Sequence, residues 1–334
     1  MSISALLLLV LVLPAIAPMQ PLPGGSWSEQ VVRTQSRQVH FYLLHDDTPK
    51  PVVILLQGSG CSPLFTIDGD GTYHPTSLFQ DIVPVERRRV HFAMIEKPGV
   101  SPLKFAAGMS REEKKSIFER AALRCSRDFY ANATKTVRVD DVRTVMTALA
   151  GQPWVSGFIL AGHSEGTHVA TGILKTRPAE RILAAALFAS AGPSPFWSGY
   201  AGAADAGSRA AFERVLNRMR MLQHTDDDVM ESGLPVRRWR TFALESTPMD
   251  DVRESAVPLF VAQGTRDGTI LASDLFVLEA IRQQPRRPTR YAVVEGGDHG
   301  FDTPDNRSHV VELFTDFLDW ALDPNRATGT IVIH

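Results

Sequence analysis

The feature that most restricts the fold of this chain is a series of strand-length runs in which nearly every residue is apolar. Runs rich in β-branched or aromatic residues occupy 39–44, 51–56, 90–95, 157–161, 182–189, 258–262 and 291–294. A strand with one wet face alternates apolar and polar side chains. Five of the runs from position 51 onward do not alternate, which predicts strands buried on both faces, as in a parallel sheet. Helical patterns lie among them. Residues 140–149 place Val142, Val145, Met146 and Leu149 on one face, and 273–282 space Leu275, Leu278 and Ile281 three apart. Residues 308–322 carry an apolar stripe through Val311, Phe314, Phe317 and Leu318. Strands alternating with helices predict an α/β fold with right-handed crossovers. The run 39–44 has turn residues and no helix beside it, and reads as antiparallel edge structure. The alternation stops between Gly192 and Val257. The stretch 193–256 is expected to be an insertion, either a helical cap over one end of the sheet or a long surface excursion.

One of these strands runs into a chemically loaded turn. Gly157-Phe158-Ile159-Leu160-Ala161 is followed by Gly162-His163-Ser164-Glu165-Gly166 and then by a helix-like stretch, 167–175. A Gly-x-Ser-x-Gly turn between strand and helix holds its serine on strained backbone, and the small residues let the turn close. The following helix points free N–H groups at the same place, which favours a developing negative charge. A serine hydroxyl is a weak nucleophile and needs a base held by a third group. His299 stands in a glycine-flanked loop, Gly296-Gly297-Asp298-His299-Gly300, beyond the run 291–294. Asp267 follows the run 258–262 and is the preferred acid. Asp298 competes, but adjacent side chains on an extended loop usually diverge. Gln57-Gly58-Ser59-Gly60-Cys61 ends an early strand, and its backbone N–H groups could supply an oxyanion donor, with Ser59 the choice and Glu165 N–H the other donor.

The order Ser164, Asp267, His299 and the three separated motifs resemble the serine hydrolases of the α/β-hydrolase superfamily, over about residues 30–325. The resemblance implies a mostly parallel eight-stranded sheet flanked by helices, with a cap after the sixth strand, and places the hydrolase domain at 25–330. It implies a catalytic triad of Ser164, Asp267 and His299 and no cofactor or metal. Gln57 stands where many relatives carry His. The implied reaction is hydrolysis of a carboxylic ester through an acyl-enzyme. Peptide, amide and thioester bonds are alternatives on the same triad, because Glu165 beside the nucleophile could meet a substrate amino group. A binding protein that has lost activity on this fold is the alternative from another class.

Composition removes other classes and suggests a compartment. Lys and Arg total 35 against 37 Asp and Glu, so no basic excess marks a nucleic-acid binder. Two cysteines are too few for a Cys-rich zinc site or an iron–sulfur cluster. The expected partner is a small ester or a short peptide-like molecule. Residues 1–20 read as a signal peptide or an N-terminal anchor: no charged side chain precedes Glu29, and Ala15-Ile16-Ala17 offers a cleavage site. The chain is therefore expected to be exported, either secreted or periplasmic, with a membrane tether through the N-terminus as the alternative. In an oxidising compartment Cys61 and Cys125 are expected to form a disulfide, the alternative being two buried thiols. Asp68-Gly69-Asp70-Gly71 lacks later calcium ligands and reads as a solvated turn. His163 and His168 read as groups that pack beside the turn or support its reacting residues, and Glu96-Lys97-Pro98-Gly99 as a plain loop near the rim of the site, the alternative being that it shapes substrate access.

Overall fold

The runs that lack alternation do become strands with both faces covered. In the computed structural model, which describes residues 20–21, 27–34, 37–76, 78, 80–122, 124–323 and 327–334, side chains of one strand enter two different cores. Val52, Ile54 and Leu56 pack on one side of the sheet, while Val53 and Leu55 pack on the other. Phe158 and Leu160 divide from Ile159 and Ala161 in the same way. This is the period-2 geometry of a strand, with apolar partners supplied on each face. The predicted leader, apart from residue 20, lies outside the described residues.

Among the described residues the main sheet has ten strands: β1 (Gln20–Pro21), β2 (Trp27–Arg33), β3 (Gln38–Leu44), β4 (Lys50–Leu56), β5 (His91–Ile95), β6 (Val155–His163), β7 (Ile182–Phe188), β8 (Leu259–Gly264), β9 (Thr289–Val294) and β10 (Gly329–Ile333). Their spatial order is β1-β2-β3-β5-β4-β6-β7-β8-β9-β10. The sheet is mixed. β1 to β3 pair antiparallel with their neighbours, β3 against β5 included, and every pairing from β5 to β10 is parallel. The expected eight strands are β2 to β9, and a short strand extends each edge. Those two edge strands leave little mark on the sequence, because Gln20–Pro21 is too short for a pattern and Gly329–Ile333 is largely exposed.

Helices cover both faces. Helix α1 (Lys135–Ala150), α2 (Glu165–Lys175) and α3 (Ile270–Gln283) pack on one face, and α4 (Val310–Leu322) with the short helix Ile82–Glu86 on the other. α1 starts five residues earlier than its apolar face suggested, because the Thr134 side chain caps it by accepting from Val137 N–H (3.3 Å). On α3 the expected face is turned outward: Leu278 is 67% exposed and Ile281 44%, while Ala272, Phe276, Val277 and Ala280 are buried. The neighbouring stripe holds Phe276 and small residues that fit close to the sheet, and it outcompetes the leucines for that contact. α4 buries Phe314, Phe317 and Leu318 of its predicted stripe beside Trp320, while Val310 is buried and Val311 only half-buried.

Between β7 and β8 lie the helices Pro195–Ala201, Arg209–His224, Val236–Ala243 and Pro248–Val252, and the strand pair Met230–Glu231 and Leu234–Pro235. The last two helices are bound into the main core, where Phe242, Met249 and Val252 join the α1–α2 side. A buried ion pair, Lys135 Nζ to Asp251 Oδ2 at 2.6 Å, ties Pro248–Val252 to the start of α1. A disulfide joins Cys61 to Cys125. Among the described residues no helix is long and apolar enough to cross a membrane.

Candidate active site

The chemistry-bearing residues gather at the C-terminal ends of the parallel strands, where crossover connections leave space above the sheet. Ser164 stands between β6 and α2 with φ 55° and ψ −123°, a backbone conformation that L residues rarely adopt. The turn is held there from both sides. Ser164 N–H donates to the Phe188 carbonyl (2.8 Å), and Thr167 Oγ1 donates to the Ser164 carbonyl (2.8 Å). The flanking glycines are required by space: a Cβ on Gly162 would lie 2.4 Å from the Gly166 oxygen, and one on Gly166 would lie 2.0 Å from the Leu56 oxygen. β4, the turn and α2 therefore touch backbone to backbone.

Asp267 and His299 arrive from β8 and β9, beyond the intervening β7. The loops after β8 and β9 are sewn together by Arg266 N–H to the Gly297 carbonyl (2.8 Å) and Gly296 N–H to Thr265 Oγ1 (2.8 Å). His299 Nδ1 then meets Asp267 Oδ2 at 2.7 Å. Asp267 is buried, with its other oxygen accepting from Thr269 N–H (2.9 Å). Burial pushes its carboxyl pKa up, but the His299 and Thr269 hydrogen bonds outweigh burial and hold it at about 2. The same bond from Asp267 raises the His299 pKa, against the opposing effect of burial. Asp298 has a different task. Its Oδ1 accepts from Gly300 N–H (2.8 Å) and Asp302 N–H (3.0 Å), closing the loop that carries His299.

His163, expected to pack beside the turn or to support its reacting residues, makes a supporting contact. Its Nε2 lies 2.9 Å from the His299 carbonyl, and burial lowers its pKa to about 4, so the ring is neutral and donates there. One residue before Ser164, it ties the His299 loop to the serine turn. Asp68, by contrast, pairs with Lys114 (2.8 Å) and Asp70 accepts from Thr72 N–H (2.9 Å), as a solvated turn would.

The loop Gln57–Cys61 follows β4 and crosses directly over the serine. A Cβ built on Gly58 would stand 3.0 Å from Ser164 Cβ and 3.5 Å from its Oγ. Ser59 is thus on the loop that faces the nucleophile, and Glu165 supplies the first N–H of α2. The Glu165 side chain turns away from the site. Its Oε1 accepts from Arg138 (2.5 Å) and its Oε2 from Arg238. Burial alone would raise its pKa, but Arg238, Arg138 and Lys97 hold it at about 2. Arg238 comes from the insertion, with its guanidinium 4.8 Å from the centre of the Phe242 ring. Sequence reasoning missed Arg138 and Arg238. Arg138 falls in the first turn of α1, before the apolar pattern begins, and Arg238 lies 73 residues from its partner.

No family model and no curated protein sequence matches the chain. Solved structures do. Est1E from Butyrivibrio proteoclasticus superposes with a TM-score of 0.57 at 13% identity, over 90% of this chain and 99% of that one. Dipeptidyl peptidase 4 from Porphyromonas gingivalis gives 0.54 at 15% identity, over 89% of this chain and 35% of that one. A puromycin-hydrolyzing peptidase from Mycobacterium tuberculosis gives 0.53 at 16% identity, over 91% of this chain and 41% of that one. The fold is the α/β-hydrolase fold.

Proposed function

We propose that this chain is a serine hydrolase that cleaves carboxylic esters through an acyl-enzyme. The observation that supports the reading is the 2.7 Å bond between His299 and buried Asp267, on a loop that His163, the residue before the positive-φ Ser164, contacts at the His299 carbonyl. Asp267 fixes the proton on Nδ1 of the neutral imidazole and leaves Nε2 as the base. Nε2 takes the proton from Ser164 as Oγ attacks the ester carbonyl carbon. The negative charge forming on the carbonyl oxygen is met by the Ser59 and Glu165 N–H groups. The imidazolium then gives its proton to the leaving alcohol as the C–O bond breaks. Water, deprotonated by His299, attacks the acyl carbon, and as the second tetrahedral intermediate collapses the bond to Ser164 Oγ breaks, the imidazolium returns its proton to that oxygen, and the acid leaves.

Esters are favoured over substrates with a free amino terminus because of Glu165. Its carboxylate already lies between two guanidinium groups that balance its charge, so a substrate ammonium has little to gain from it. The Cys61–Cys125 disulfide, together with the apolar leader, supports export to an oxidising compartment.

The test is labelling with a fluorophosphonate probe, followed by turnover of a panel of p-nitrophenyl esters, aminoacyl amides and thioesters. Labelling at Ser164, its loss in Ser164→Ala, and fastest turnover of esters are expected. Folded wild-type protein that neither labels nor turns over any substrate would assign the fold to binding instead. A preference for aminoacyl amides would overturn the choice of ester.

A further inference from the structure

Beneath the loop that faces Ser164 lies a buried amine that the proposed reaction does not use. Lys97 follows β5 and is 2% exposed. Its Nζ donates to the carbonyl oxygens of Gly58 and Gly60, each at 2.6 Å. Among the described residues no carboxylate lies within ion-pair distance of Nζ, so its hydrogen-bond partners are these two peptide oxygens, while Glu165 and Glu96 act on it from further away. Burial and the neighbouring Arg138 push its pKa well down, yet the amine keeps at least two N–H donors in either protonation state. Removing an amine from water is costly, and an apolar side chain would fill the space without that cost.

Peptide geometry gives the contact a consequence. In a trans peptide unit the C=O and the following N–H point in opposite directions, and no cis peptide occurs among the described residues. The Gly58 carbonyl and the Ser59 N–H belong to one such unit. Fixing the oxygen on Lys97, inside the protein, turns the Ser59 N–H the other way. The preceding unit is fixed likewise: Arg138 Nη2 donates to the Gln57 carbonyl (2.9 Å), which sets the Gly58 N–H. Glu96, beside Lys97, holds the far end of the loop by accepting from Leu64 N–H (3.1 Å). Lys97 and Arg138 thus hold the carbonyl edge of a loop whose Gly58 lies against the serine.

We infer that Lys97 is the positioning residue of the oxyanion donor loop, holding the Gly58 and Gly60 carbonyls so that the Ser59 N–H faces the tetrahedral intermediate. It touches neither substrate nor reacting atoms and acts through the peptide unit. The inference rests on the hydrolase reading above and adds to it the group that makes the donor loop rigid. The sequence motif Glu96-Lys97 therefore belongs to the site's support and is not a rim loop.

The test uses the full-length protein, Lys97→Met, p-nitrophenyl esters, and a trifluoromethyl ketone that forms a tetrahedral adduct on serine. A donor that no longer faces the oxyanion should lower kcat by about 100-fold, the scale of a lost oxyanion donor. KM should stay within about threefold, and inhibition by the ketone should weaken in proportion to kcat/KM. A kcat within about threefold of wild type, or a fall in kcat with ketone affinity unchanged, overturns the inference. If Lys97→Met does not fold, Lys97→Gln decides. Its amide can still reach one carbonyl, so a loss of about tenfold shared by kcat and ketone affinity is expected; unchanged values, or failure to fold as well, overturn it by leaving Lys97 a structural role only. Wild-type protein without labelling or turnover sinks the hydrolase reading itself. Active wild type with an unaffected variant sinks this inference alone.

Discussion

Replacing Asp267 by asparagine tests the site most directly, because the structure assigns its competitor, Asp298, to other work. The Asp267 side chain is 5% exposed, and its carboxyl is nonetheless held at about 2 rather than 3.8. A gap of roughly 2 pKa units corresponds to about 2.5 kcal/mol in favour of the ionised form, at 1.36 kcal/mol per unit. His299 and Thr269 share that preference, so it bounds from above what an imidazolium at His299 gains in the transition state. If the substituted amide presents its oxygen to Nδ1, the tautomer survives and the charge is lost, and the rate should fall by up to about 70-fold. If it presents its N–H₂ group, the proton moves to Nε2, the base is blocked, and the loss should reach about 10⁴-fold. Asp298→Asn keeps an oxygen that can accept from Gly300 and Asp302 N–H, and should cost no more than about threefold. The assay is kcat/KM on a p-nitrophenyl ester, with thermal melting as a control for folding. The depressed Asp267 pKa also implies a sign for stability: its contribution is present above about pH 4 and fades as pH falls towards 2, so the melting difference between wild type and Asp267→Asn should shrink in acid. A larger loss in Asp298→Asn than in Asp267→Asn would refute the assignment of the acid.

Three further outcomes follow from the same structure. With His299 as the base in the proposed reaction and its pKa raised, activity should fall as pH drops through a value above 6.5, and that limb should move to lower pH in Asp267→Asn. Reducing the Cys61–Cys125 bridge, which closes a 64-residue separation, should cost about 4 kcal/mol in chemical denaturation by the chain-entropy relation; under about 1 kcal/mol would show that the bridge constrains little. Lys135→Met leaves Asp251 charged and buried and should destabilise the fold by about 3–5 kcal/mol, whereas Lys135→Met with Asp251→Leu should recover most of that loss in the same denaturation assay.

The fold class and the core of the site are legible in the amino-acid order because their signals are local. A strand buried on both faces has no room for polar residues, so β4 to β8 announce themselves as unbroken apolar runs. A turn at φ 55° where an added Cβ would fall 2.0–2.4 Å from neighbouring backbone oxygens excludes side chains, so Gly162 and Gly166 bracket Ser164 in sequence as they do in space. The loops after β8 and β9 display Asp267 and His299 for a similar reason, as short polar segments at strand ends.

Residues whose role depends on distant partners are not legible in this way. The outward turn of Leu278 and Ile281 on α3 is decided by which stripe packs closest to the sheet. Sequence places Glu165 beside the nucleophile, but not its neutralisation by Arg138 and Arg238, which come from another helix and from the insertion. Lys97 looks like any loop lysine until the fold encloses it beneath Gly58 and Gly60. Amino-acid order determines what a strand or a turn can tolerate within a few residues. Which charges meet in the interior, and which peptide each one holds, is set only when the sheet closes and brings separate elements within hydrogen-bond distance.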